Sequence, residues 1–175
     1  SKVPTQVAPE VKAPAPNAKE VLALYEEVVD KIKEDGQRFQ VSRRIAELEL
    51  EAATNKLGDS EGVSFDKAIG DLENLLTQID SANNEEQYLR EKAHIHYLLS
   101  QAYDLSGEQE ASIENLGTAL NVLDVLGPQG SRSTNHIPVA VADGSEVLKL
   151  ELRFRRAEYY FSNGDHKRAA DDYEI

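Results

Sequence analysis

From Ala18 onward the apolar residues recur three or four positions apart, the interval of one face of an α-helix. Val21, Leu24, Val28 and Ile32 make a first stripe, opened by an Asn17/Glu20 capping pair and expected to stop near Asp35-Gly36. Ile45, Leu48 and Ala52 line a second helix ending near Leu57-Gly58, and a Gly/Ser loop over 59–64 follows. Phe65, Ala68, Leu72, Leu75 and Ile79 stripe a third helix. Asn84 and Gln87 are placed to cap a fourth, which carries Ile95, Leu99, Ala102 and Leu105. Ser106 and Gln109 form another capping pair across a turn at Gly107, so a fifth helix with Leu116, Ala119, Leu120 and Leu123 folds back on the fourth and stops at Gly127-Pro128. Asp143 to Glu146 opens the next helix, striped by Val147, Leu150, Phe154, Ala157 and Phe161, and a last one follows Gly164-Asp165. Only 137–141 alternates in the manner of a strand, and weakly. The pattern predicts an all-α chain of antiparallel helix pairs.

A second order lies in the spacing around the turn glycines. Seven residues before Gly164 stands Ala157, four before it Tyr160, five after it Ala169 and nine after it Tyr173. The same offsets from Gly107 give Ser100, Tyr103, Ser112 and Leu116, with Ala119 three further on. Small residues let two helices approach closely, and the ring or leucine beside them fills the gap. In these residues the chain resembles the tetratricopeptide repeat family, whose 34-residue unit is a helix-turn-helix. The resemblance implies a right-handed superhelical array of antiparallel helix pairs, an α-solenoid. It covers roughly residues 44–175: a degenerate repeat at 44–79, a repeat at 87–126, an inserted loop at 127–144 and a truncated repeat at 145–175, with the helix at 18–35 as an N-terminal cap.

The array is irregular. Glu51 and Thr54 stand where the degenerate repeat should have its small residue and its ring, and the tryptophan frequent near the start of the family's motif is absent throughout. Turn glycines fall 49 and 57 residues apart, so insertions of about 15 and 23 residues interrupt the 34-residue period. Because a solenoid buries its faces against neighbours, the resemblance implies that the chain continues past Ile175.

Composition narrows the functional classes. The chain has 175 residues, 40% of them apolar, enough for one domain with a core. Its net charge of −13 repels phosphate backbones and anionic lipid surfaces, which argues against nucleic acid as a partner. No run is long and apolar enough for direct membrane insertion. Cysteine is absent, which removes disulfides, thiolate metal sites and a cysteine nucleophile and leaves the compartment open. Residues 1–17 hold four of the six prolines among Val, Ala and Lys, and read either as an extended tether or as a frayed terminus. The lack of any methionine, even at position 1, points to a trimmed start. Together with the proline-rich leader it favours a periplasmic or membrane-tethered setting in a bacterial envelope over the cytoplasm.

The sequence offers no catalytic constellation. His94 and His96 sit two positions apart, about 200° around a helix, so one ion cannot take both. His136 falls in the insertion and His166 in a turn, without a second ligand nearby. Runs such as Glu47, Glu49 and Glu51 read as solvated faces. The expectation is a non-enzymatic protein with no metal and no cofactor.

What remains is surface. In the tetratricopeptide family the first helix of each unit lines a concave groove, and the matching positions here are His94, Tyr97, Gln101 and Asp104, then Glu151, Phe154, Glu158 and Phe161. In the degenerate unit they are Ile45, Leu48, Ala52 and Asn55. Rings beside carboxylates suit basic or apolar peptide segments. The basic clamp with which some family members hold a C-terminal carboxylate is missing from these positions. Two competing assignments stay open: Phe154 and Phe161 also lie on the packing stripe, and the 127–144 insertion competes as the contact element. The resemblance therefore implies a protein-protein interaction scaffold, the alternative being a regulatory or adaptor domain of a larger multidomain enzyme or chaperone assembly.

Overall fold

The structure, a computed structural model, describes residues 17–58, 62–82, 85–126 and 145–174. All of the regular structure among them is helical, in seven α-helices, and none of them forms a strand. The proline-rich segment before Asn17 and the 127–144 insertion, on which a tether and a contact loop were expected, lie outside the described residues.

Helix α1 (Ala18–Val29) begins as its sequence predicts: Asn17, in extended conformation, accepts a hydrogen bond from the Glu20 amide at 2.9 Å. It does not run to Asp35. Beyond Val29 the amides of Lys31 and Ile32 bond back to Val28 and Val29, a tightened last turn. Asp35 instead opens α2 (Asp35–Asn55), where its carboxylate sits at the positive end of the helix dipole. Gly36 was expected to stop a helix, but it has no positive φ and is simply part of the first turn of α2. The second helix thus starts well before residue 44, and it buries Phe39, Ala46, Leu48 and Leu50.

Positive-φ glycines, Gly58 and Gly62, flank the connection to α3 (Asp66–Asp80), whose Ala68, Leu72, Leu75 and Ile79 form one buried stripe. A 3-10 turn, Glu85–Tyr88, leads into α4 (Leu89–Leu105). The expected Asn84/Gln87 cap therefore does not open this helix: Gln87 is inside the 3-10 turn, Asn84 lies outside the described residues, and Tyr88 stands at the N-cap without a side-chain bond. Helices α5 (Gln109–Leu126), α6 (Ser145–Ser162) and α7 (His166–Tyr173) complete the chain. Asp143, expected in the opening of α6, is outside the described residues.

The turns at Gly107 and Gly164 are built alike. Gly107 (φ 82°) donates to Asp104 O at 3.0 Å and Glu108 donates to Tyr103 O at 2.8 Å. Gly164 (φ 78°) donates to Phe161 O at 3.0 Å and Asp165 to Tyr160 O at 2.9 Å. Both are Schellman motifs, which satisfy the last carbonyls of a helix through a left-handed residue that glycine adopts without strain. After Gly164 the chain turns at once, since Asp165 also caps α7 by accepting from the Arg168 amide. The predicted Ser106/Gln109 cap of α5 does not form. Ser106 has helical dihedrals, unlike an N-cap, and its hydroxyl donates backward to Ala102 O at 2.7 Å.

Each helix packs on the next, from α1 on α2 through α6 on α7, and α2 also touches α4. Between the partners of a hairpin the small residues are buried: Ser100 against Ser112, whose hydroxyl donates to Ser100 O at 2.8 Å, and Ala157 and Ala169 in the last pair. Two cores result. One gathers Phe39, Ala46, Leu50, Leu72, Ile79, Ile95 and Leu99 between α2, α3 and α4. The other gathers Ala93, Leu116, Leu120, Leu123 and Leu152 between α4, α5 and α6. A leucine buried as completely as Leu72, Leu99 or Leu152 contributes about 2 kcal/mol. Helix α4 supplies both cores.

Candidate interaction groove

Leu152 enters the second core, while other residues of α6, from Leu150 to Ser162, and Asn163 just beyond it border an open groove of about 940 Å³. The hinge end of the α4/α5 pair forms the opposite side, and Leu50 and Thr54 reach it from α2. Ile113, Leu116 and Leu50 give it an apolar lining, and Phe154 stands in it 40% exposed with its ring 5.9 Å from that of Tyr173. Asp104, Glu151 and Glu158 are the acidic residues of the lining, and Arg155 is its one basic residue among those described. Arg155 pairs with Glu151 at 3.1 Å and lies over the Tyr97 ring, 5.7 Å from its centroid.

Of the residues named from the sequence, Gln101, Asp104, Glu151, Phe154 and Glu158 lie together in this groove. Tyr97 sits behind Arg155, and its hydroxyl accepts from Gln101 Nε2 at 2.9 Å; burial raises its pKa. His94 points elsewhere, toward Arg43, Arg44 and Glu47 of α2, and burial followed by the Arg43 charge lowers its pKa. Phe161 is 59% exposed and meets the edge of His166 at 4.9 Å, outside the groove lining. His96 turns from His94 toward α5, with Nδ1 2.9 Å from Asn115 Oδ1. Among the named packing residues, Ser100, Ser112, Leu116, Ala157 and Ala169 are buried, Tyr103 and Tyr160 are half-buried, and Tyr173 is exposed. Gly107 and Gly164 occupy the two hinges.

Leu50 and Thr54 border the groove where the family analogy pointed to Ile45, Leu48, Ala52 and Asn55. The offset traces to α2, whose core positions Phe39, Ala46, Leu50 and Ala53 follow a different face from the one chosen by counting back from Gly58. Residues of α5 such as Gln109 and Ile113 also enter, because the second helix of a pair flanks the opening at the hinge.

Buried charges outside the groove lining were not foreseen either, and of the run read as a solvated face Glu51 is exposed, Glu47 half-buried and Glu49 buried. Arg43 of α2 sits between Glu47, at 2.9 Å, and Glu91 of α4, at 2.7 Å, tying two helix pairs together. Burial raises the Glu91 pKa and Arg43 opposes the rise. Arg156 holds the buried Asp172 of α7 through two hydrogen bonds of 2.8 and 2.7 Å, a fork geometry that Lys cannot reproduce.

No protein-family model matches the chain, and no curated protein and no solved structure matches it. Among the described residues, no three His, Asp or Glu side chains are grouped to hold a metal ion, and no helix is long and apolar enough to cross a membrane.

Proposed function

We propose that this chain is a tetratricopeptide-like superhelical scaffold, without catalytic activity of its own, that holds partner proteins in the groove between the α4/α5 pair and α6. The observation that carries the reading is that groove: a half-exposed ring and an apolar lining open to solvent at the place where helix pairs stack. Exposed apolar surface enclosed by polar residues is what protein-recognition sites present. The repeat character is supported by the twin Schellman hinges and by buried small residues at equal offsets from both glycines. The 127–144 insertion joins α5 to α6, the two helices that flank the groove, and is its natural competitor for the partner.

Affinity capture with the wild-type chain, with Tyr97→Ala, with Phe154→Ala and with residues 129–142 deleted tests the assignment. Both alanine variants are expected to lose the captured partner, at least tenfold for Phe154→Ala, since truncating a central aromatic anchor removes on the order of 2 kcal/mol. Loss on deletion alone transfers the site to the insertion.

A further inference from the structure

The groove carries a pattern of charge as well as an apolar surface. Glu151, Phe154 and Glu158 follow one another at three and four positions along α6 and therefore share one face. Seven residues of helix separate the two carboxylates by about 10 Å along the axis, with the ring between them. Asp104 stands on α4 in the same groove. Among the described residues, neither Asp104 nor Glu158 has an ion-pair partner, and the Glu151 pair with Arg155 is solvent-exposed on both sides. Pairs of that kind are weak and yield to a competing cation. Arg155 also has the Tyr97 ring as an alternative seat.

Resting on the scaffold reading, we infer that the occupant of this groove is an extended peptide segment of a partner protein with two basic residues three positions apart and apolar residues between them. In the extended polyproline II conformation a chain rises about 3.1 Å per residue with three residues per turn, so residues i and i+3 lie on one edge and span about the same 10 Å as the two carboxylates. The intervening side chains then fall over Phe154 and the Ile113/Leu116 lining. An acidic segment is repelled by the three carboxylates, and the net charge of −13 steers basic segments toward the molecule.

Three fluorescein-labelled decapeptide pools provide the probe. Each has a four-residue core flanked by Gly and Ser, with two central positions drawn from Leu, Ile, Val and Phe, and the outer positions both Lys, both Ser or both Glu. The Lys pool is expected to bind about tenfold more tightly than the Ser pool at 50 mM salt, the gap closing to about twofold at 0.5 M. Glu151→Gln/Glu158→Gln, a near-isosteric change at exposed positions, is expected to bring the Lys pool down to the level of the Ser pool. Amide shifts of the 15N-labelled protein are expected to move at Gln101, Asp104 and residues 150–158.

Equal affinity of the Lys and Ser pools, preference for the Glu pool, or a Lys preference that survives the double substitution overturns the inference. If the Ser pool shifts the groove resonances without any Lys preference, the charge inference falls and the scaffold reading stands. If no pool shifts them and Phe154→Ala leaves partner capture intact, both fall.

Discussion

Glu49 of α2 shows how much a single buried carboxyl can alter the behaviour of a helix pair. Its side chain is 6% exposed, one oxygen is 2.5 Å from Lys67 Nζ and the other has no donor. Burial, then a hydrogen bond shared with Asp71, pushes its pKa up to about 7 against the pull of Lys67. Protonation turns the second oxygen into a donor that Asp71 can accept. The folded state therefore holds this proton more tightly than the unfolded state, and the stability it contributes is present below about pH 4.5 and lost as pH rises toward 7. Glu49→Gln keeps the shape and a donor without the charge. We expect urea midpoints to show it about 1 kcal/mol more stable than wild type at pH 8, with the difference vanishing below about pH 4.5. A constant difference across that range assigns the titration to another group. Tyr103 is a comparable case between α3 and α4: its hydroxyl donates to Glu73 at 2.7 Å, a bond that, with burial, moves its pKa up to about 12.

At the scale of the element, the hinges are the parts most open to reading from sequence. Gly107 and Gly164 are conspicuous because a left-handed residue that closes two orphan carbonyls is nearly always glycine, and the small residues at fixed offsets follow from the close helix contact the hinge imposes. At either position an added methyl group meets no atom within 4 Å, so the cost of alanine is purely that of the backbone. Gly107→Ala is expected to destabilise by about 1 kcal/mol, in line with the left-handed penalty, and thermal denaturation measures it. Gly36 looked the same in sequence and is not a hinge, because nothing around it asks for positive φ. Ser106 misled for a related reason: a serine three residues before Gln109 matches a helix start, yet it stands at a helix end, and only the Schellman geometry decides. The acid–ring–acid face of α6 came from the positions that the tetratricopeptide resemblance assigns to a groove, not from the apolar stripe. The contribution of Leu50 and Ile113 was not legible, since it depends on how four helices converge, and the Arg43–Glu91 pair joins residues 48 positions apart that no local pattern connects.

For the whole molecule, the order of packing is nearly that of the chain, each helix resting on its neighbours in sequence. On the proposed scaffold reading, stability is a sum of helix pairs and the interfaces between them, with the terminal helices the weakest part. Hydrogen exchange followed by mass spectrometry is expected to find the slowest amides in α4 and α5 and the fastest in α1 and α7. Helix α7 has eight residues and is held chiefly by Ala169, the Arg156–Asp172 fork and the Phe154–Tyr173 contact. Uniform protection from end to end would mean one cooperative block in place of a stack.

Helix α4 has a particular position in that stack, because both cores draw on it. Its two flanks are spoken for by different neighbours, Ile95 and Leu99 by one and Ala93 by the other. A fragment beginning at Gln109 would leave Leu116 and Leu120 without their cover, and one ending at Ile79 would bare Leu72 and Leu75. The keystone of the molecule is thus a rod that also forms one bank of the groove, so whatever lodges beside Gln101 and Asp104 leans on the member that joins the two halves.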